Sequence, residues 1–248
     1  MNIFISGRGG FAVEVADALL DEGHKIVGAA APRLRKGHSD ESNAMSWDRL
    51  RAWACPRGIQ WTDSAELRAM HIPDGVDIIV AAHSHAFIGR RTRARAAVAT
   101  IGYHPSLLPL HRGRDAIRWT IRDGDKVTGG SVYHLTERTD AGPLAAQEHL
   151  LVPPGSTAQS LWREHLAPLG VRLLLRVVAD LAEGRQIEVP QDEKLATWEP
   201  TMDSAPLFKP ELIALPGATP VDGSKWALHA QYGSDVARGG NETGRAPG

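Results

Sequence analysis

The sequence has a single cysteine, Cys55, no uncharged apolar run of 18 residues, no internal repeat and no excess of either charge. One thiol closes no internal disulfide and builds no thiolate zinc cluster, which fits a reducing compartment. No stretch is a candidate membrane span, and MNIFISGRGG places no basic leader ahead of its first apolar residues, so a soluble cytoplasmic protein is expected. With 28 Lys and Arg against 29 Asp and Glu, a general nucleic-acid or membrane-surface binder is disfavoured. What remains is a chain of 248 residues, 42% hydrophobic, long enough to bury a substantial core in one large domain.

Residues 2–6 read as a short apolar strand, Gly7-Arg8-Gly9-Gly10 as a turn, and Phe11, Val13, Val15, Leu19 and Leu20 as one face of a helix ending before Gly23. Residues 25–31 form a second apolar run, and 32–43 a polar surface loop. Further strands are expected at 58–61, 76–82 and 100–104, with helices over 63–70 and 88–98 between them. This alternation predicts an α/β fold, a Rossmann-like open and mostly parallel sheet with helices on both faces. Two strand-like runs at 127–135 and 144–152 predict an antiparallel extension of that sheet. Ser156 and Gln159 make a capping box for a helix whose apolar face is Leu161, Leu166, Leu169, Leu173, Val177 and Leu181, kinked or interrupted at Pro168. The expected organisation is a catalytic domain over 1–189, a C-terminal extension over 190–232 with Pro206, Pro210 and Pro216, and a frayed tail over 233–248.

Gly7-Arg8-Gly9-Gly10-Phe11-Ala12 fits G-x-G-x-x-A after a strand, but the second strand ends in Ala29-Ala30-Ala31-Pro32 without the acid that would hold a ribose. A dinucleotide site is therefore disfavoured, and the loop reads either as a tight turn or as backbone N–H groups aimed at a substrate anion. His83 and His85 share a strand face but lack a third ligand, so no metal is expected. Arg90, Arg91, Arg93 and Arg95 read as a solvated helix face.

The densest signal is the run Gly102-Tyr103-His104-Pro105-Ser106-Leu107-Leu108-Pro109-Leu110-His111-Arg112-Gly113, placed where a strand should end at the carboxyl edge of the sheet, the ligand-binding edge of open α/β folds. His104, Ser106, Leu108, Pro109 and Gly113 fit H-x-S-x-L-P-x-x-x-G and resemble the signature of formyltransferases that use 10-formyltetrahydrofolate. Thr128-Gly-Gly-Ser-Val resembles that family's T-G-V-T strand, Asp140-Ala-Gly-Pro-Leu144 its D-x-G-x-I loop, and 191–200 the tail segment of sugar and methionyl-tRNA formyltransferases. The likeness spans residues 1–205 or so.

The resemblance implies an Asn, a His and an Asp acting together. His104 and Asp140 match the second and third, while Gly102 stands where the Asn should be and Tyr133 where the family carries a His. An amine attacking a formyl carbon must lose a proton, and the carbonyl oxygen needs donors as it becomes an oxyanion. His104 suits either task, Asp140 would orient it, and Tyr133, His83 or an ordered water would replace the missing amide donor. By the same resemblance the folate would lie against His83, Ser84, His85, Ala86, Phe87, Ile88, Leu108, Arg138, Thr139, Ala141 and Gly142. Gly9, Gly10, Ser106, Arg112 and Arg114 would hold a small, phosphate-bearing amine acceptor. About sixty residues follow the 156–183 helix, too few for the added β-barrel of a tRNA-acting relative. A homodimer is left open. Three other readings stand beside formyl transfer: a hydrolase that gives the formyl group to water, a folate-binding module without chemistry, and, furthest off, a nicotinamide enzyme.

Overall fold

Three short apolar strands set the core by simple alternation. In the computed structural model, which describes residues 1–33 and 48–202, Ile3 and Ile5 of β1 (Asn2–Gly7), Ala29 and Ala31 of β2 (Lys25–Ala31), and Ile78 and Val80 of β4 (Ile78–Ala82) face one layer. The residues between them, Phe4, Ala30 and Ile79, face the other. With β3 (Trp61–Asp63), β5 (Ala99–His104), β6 (Val127–His134) and β7 (Leu144–Leu151) they form a seven-stranded sheet in the order β3-β2-β1-β4-β5-β6-β7. The first five strands are parallel, and β6 and β7 are an antiparallel hairpin at one edge. This is the open α/β sheet and antiparallel extension expected from the sequence.

The thicker layer is helical. Phe11, Ala12, Val15, Ala16 and Leu19 bury one side of α1 (Gly9–Asp21), which ends at Gly23 in a left-handed turn. Beside it lie α2 (Arg49–Ala54), α4 (Ala116–Asp123) and a long helical arm of α5 (Ala158–Ser160), a π-helical turn (Leu161–Leu166) and α6 (Ala167–Ala182). The arm is capped one residue later than expected: Thr157 and Ser160 exchange the box bonds, whereas Ser156 Oγ donates to the Pro153 carbonyl. The chain passes Pro168 through the widened π turn, and the Tyr103 hydroxyl donates to the Leu166 carbonyl there (2.7 Å). Gly130 and Gly170 make this possible, since a Cβ would lie 2.5 Å from the Tyr103 hydroxyl at the first and 2.5 Å from its ring at the second.

The opposite layer departs from expectation. Helices over 63–70 and 88–98 are replaced by 3-10 turns at Ser64–Glu66 and Ala69–His71 and by a one-turn α3 (Arg90–Arg93). Local side chains win over helical periodicity in both places. Asp63 accepts from the Ala65 N–H and His71 Nδ1 from the Arg68 N–H, while Arg93 and Arg95 donate to the Ile88 and Ile72 carbonyls. The short helices α2 and α4 have no counterpart in the sequence reading. Met1–Glu199 form one unit, which runs ten residues past the boundary expected at 189. The proline-rich extension from 203, the tail and most of the 32–43 loop lie outside the described residues. Among the described residues no helix is long and apolar enough to cross a membrane.

Candidate active site

The strand order reverses at β1, whose neighbours are β2 on one side and β4 on the other, so the loops leaving the carboxyl ends of the central strands diverge. A cleft of about 500 Å³ opens there, within the range of small-molecule sites. Its walls include His83, Ser84, His85, Ala86, Phe87 and Ile88 after β4, His104 at the end of β5, Tyr133 on β6, and Arg138, Thr139 and Asp140 beyond it. Trp162 and Gln159 of the helical arm, with Arg114, close the other side.

His104 is 6% exposed, and its Nε2 donates to the His111 carbonyl at 2.7 Å. Nδ1 then points to Asp140 Oδ2 at 3.6 Å, close enough for charge attraction but not for a direct hydrogen bond. Asp140, expected to orient the imidazole, faces Nδ1 across that distance, and the His111 carbonyl holds the other side of the ring. Nε2 therefore carries a proton, while Nδ1 faces the carboxylate across a gap.

Asp140 is itself held from two sides, Tyr133 Oη donating to Oδ1 at 2.6 Å and the Gly113 N–H to Oδ2 at 2.8 Å. Burial, then the Asp140 charge and its hydrogen bond, push the Tyr133 phenol well above its ordinary range, so it stays a donor. Its single proton goes to the carboxylate, and this corrects the expectation of Tyr133 as a free oxyanion donor. The Gly102 departure is coupled to the same strand pair. Gly102 faces Tyr133 in register, and a Cβ there would stand 2.8 Å from Leu135 Cδ1 and 3.4 Å from Tyr133 Cε1. A side chain at 102 would require Leu135 to shift. His134, next in sequence, points away as expected, toward the Ile187 carbonyl.

All three non-glycine residues with positive φ among the described residues, His83, His111 and Asp140, belong to this site. Left-handed backbone at side chains other than glycine is costly and concentrates at functional positions. Burial, then the Arg8 charge, lowers the pKa of His83, and burial, His83, Arg8 and Arg114 together lower that of His85 to about 4.

Several expected ligand residues are structural. Ser106 is fully buried and donates to the Leu110 carbonyl, and the Leu108 N–H donates to Ser131 Oγ, so these motif positions brace the loop instead of lining the cleft. Ala141 and Gly142 lie behind Asp140; a Cβ at 142 would collide with the His134 carbonyl. Arg112 is buried and bonded to Gln191 and Glu193, leaving it no face toward a substrate. The Gly9 N–H donates to both carboxylate oxygens of buried Asp48 (3.2 and 3.0 Å), and Arg49 Nη1 lies 3.3 Å from where a Gly10 Cβ would sit. The glycine loop is filled by the chain's own groups.

The returning segment 187–199 grips the site from outside. Gln191 Nε2 donates to the Asp140 and Gly142 carbonyls, and Thr197 Oγ1 accepts from the His111 N–H at 2.7 Å. Glu199 and Asp125 approach the two nitrogens of the His111 ring (3.3 and 2.8 Å). Hydrogen bonds from Arg112 and Arg138 hold the Glu193 carboxyl down at about 2.

Comparison with known proteins bears on the family and the fold. A profile of the formyl transferase family matches residues 1–178. Mitochondrial 10-formyltetrahydrofolate dehydrogenase of Mus musculus is 32% identical over 201 residues, 80% of this chain but only 22% of that protein. Methionyl-tRNA formyltransferase of Lactobacillus delbrueckii subsp. bulgaricus is 34% identical over 129 residues, 52% of this chain and 41% of that one. The crystal structure of glycinamide ribonucleotide transformylase 1 from Symbiobacterium toebii shares the fold with a TM-score of 0.59 at 22% identity, covering 77% of this chain and 94% of that one. A histidine at the end of β5, an aspartate at the tip of the following hairpin and a profile match over most of the chain carry one conclusion: this protein belongs to the formyl transferase family.

Proposed function

We propose that this chain binds 10-formyltetrahydrofolate as formyl donor and passes the formyl group to the amine of a small, phosphate-bearing acceptor in the cytoplasm, as a step of one-carbon metabolism. The single observation that carries the reading is His104 set against a Tyr133-braced Asp140 inside an open cleft. Phe87, Ile88 and Leu135 supply an apolar slot for a flat ring, with Arg138 at its edge. In the reaction the acceptor amine adds to the formyl carbon, breaking the C=O π bond, and the oxygen takes negative charge that is stabilised by the imidazolium formed as His104 Nδ1 takes the proton of the attacking nitrogen. Collapse breaks the bond to the folate nitrogen, which leaves as the amine after receiving the proton lost by the attacking nitrogen, with His104 as carrier. Asp140 keeps the cationic imidazole favourable at that moment.

A second reading, with water in place of the amine, is favoured by Gly102. Gly102 brings no amide donor to the cleft, and the mouse relative is named for 10-formyltetrahydrofolate with no amine in its name. The test is release of tetrahydrofolate and formate from 10-formyltetrahydrofolate, with and without a panel of amino-sugar nucleotides and other phosphorylated amines. Amine-dependent tetrahydrofolate release without formate supports transfer; formate release independent of amines replaces it with hydrolysis; tight binding with neither product leaves a binding module.

A further inference from the structure

We propose that Arg8 and Arg114 form a binding site for an oxyanion, a phosphate or carboxylate group, carried by the second substrate. Only the assignment to the second substrate rests on the function proposed above; the anion site stands on its own geometry. Arg8 leaves the end of β1 and Arg114 follows Gly113, and each brings a guanidinium nitrogen to 3.2 Å from the same atom, His85 Nδ1. One imidazole nitrogen offers one lone pair, while two guanidiniums offer ten N–H groups, so most of these donors have no acceptor there.

Other arginines of this chain set the contrast. Arg33, Arg57, Arg95, Arg112, Arg138, Arg172 and Arg185 each meet a carboxylate. Among the described residues Arg8 and Arg114 meet none, although their positive charges converge on one point at the mouth of the cleft. Like charges brought together this way repel, and an anion between them removes the repulsion while accepting two-pronged hydrogen bonds from both forks. His85 is uncharged at neutral pH and is the placeholder such a ligand would displace; Asp115 is the carboxylate that acts on it from α4's cap, against Arg8, Arg114 and His83. The position fits a reacting substrate, because Arg114 is the next residue after the Gly113 N–H that holds Asp140. The neighbouring glycine loop cannot take this role while Asp48 fills it.

The test is calorimetric titration of orthophosphate, and separately of acetate, into wild type, Arg8→Gln, Arg114→Gln, Arg8→Lys and the distant control Arg172→Gln. Saturable binding of either anion that weakens at least tenfold in Arg8→Gln and Arg114→Gln, and not in Arg172→Gln, is expected; the stronger of the two names the group. Arg8→Lys keeps charge without the fork, and covers the case where a Gln variant does not fold. No saturable binding, or binding indifferent to both arginines, overturns the site. 10-Formyltetrahydrofolate is titrated into the same proteins. Unchanged folate affinity in the arginine variants supports an anion on the second substrate, and a parallel loss moves the anion to the folate and overturns that assignment. Anion binding in a protein that ignores folate altogether would sink the proposed function and leave this site in place.

Discussion

Two glycine-bearing loops leave the same edge of the same sheet and meet opposite fates. The loop after β1 turns its Gly9 N–H into the protein, where both oxygens of Asp48 receive it while Oδ1 also accepts from Leu50 at the start of α2. The loop after β5 ties Ser106 to its own Leu110 carbonyl and its Leu108 N–H to Ser131 of β6, and leaves His104 lining the cleft. In the first loop a carboxylate from elsewhere satisfies the donors, and in the second serine hydroxyls brace the backbone while His104 keeps a place in the cleft wall. A glycine turn at a helix N-terminus is thus an anion site only where the chain does not supply the anion.

The comparison can be broken by substitution, and the largest effect belongs to the open loop. His104→Ala should lower turnover of 10-formyltetrahydrofolate about 10³-fold while folate affinity and Tm change little; a variant that kept its rate would show that the open loop is not where chemistry happens. Asp48→Ala should act in the reverse sense, removing about 1–3 kcal/mol of stability in urea denaturation by leaving buried N–H groups unpaired, with rate per folded molecule preserved. A collapse of turnover in folded Asp48→Ala would mean that the β1 loop works in the reaction after all. Tyr133→Phe sharpens the picture of the open site: loss of one hydrogen bond to a carboxylate should cost about tenfold in kcat with KM unchanged. An equal rise in KM would move Tyr133 from bracing Asp140 to binding substrate.

The smallest effect is on pH. His85 in the folded protein takes its proton only near pH 4, whereas the unfolded chain takes it near 6.5. Between those values the unfolded state binds more protons, so stability should fall as pH drops from 6.5 toward 4. Thermal melts of wild type and His85→Gln across that window should converge at low pH, the variant losing less; parallel curves would mean that burial and the His83, Arg8 and Arg114 charges do not hold the His85 pKa down.

The sequence made the central strands legible because apolar residues on both sheet faces leave a continuous signal, as in residues 78–80. His104 and Asp140 were legible through motif spacing. The 3-10 turns were not, because a single Asp63 or His71 hydrogen bond outweighed a helical period. His111 was invisible as a partner of His104 since it acts through its carbonyl, a group every residue has. Asp48 lies far along the chain from Gly9 and in no recognisable pattern with it. The assigned roles of Arg112 and Ser106 failed for a related reason: proximity to a motif says nothing about which way a side chain turns.

The returning segment sets a lower limit on how much of this protein can be transplanted. The family match stops at residue 178, yet the groups that grip Asp140, Gly142 and His111 come from Gln191, Thr197 and Glu199. A chain cut at 178, where the family profile stops, would leave Arg112 indoors with its acceptors gone and the His111 N–H without Thr197, so the smallest portable unit for fusion or grafting runs to 199.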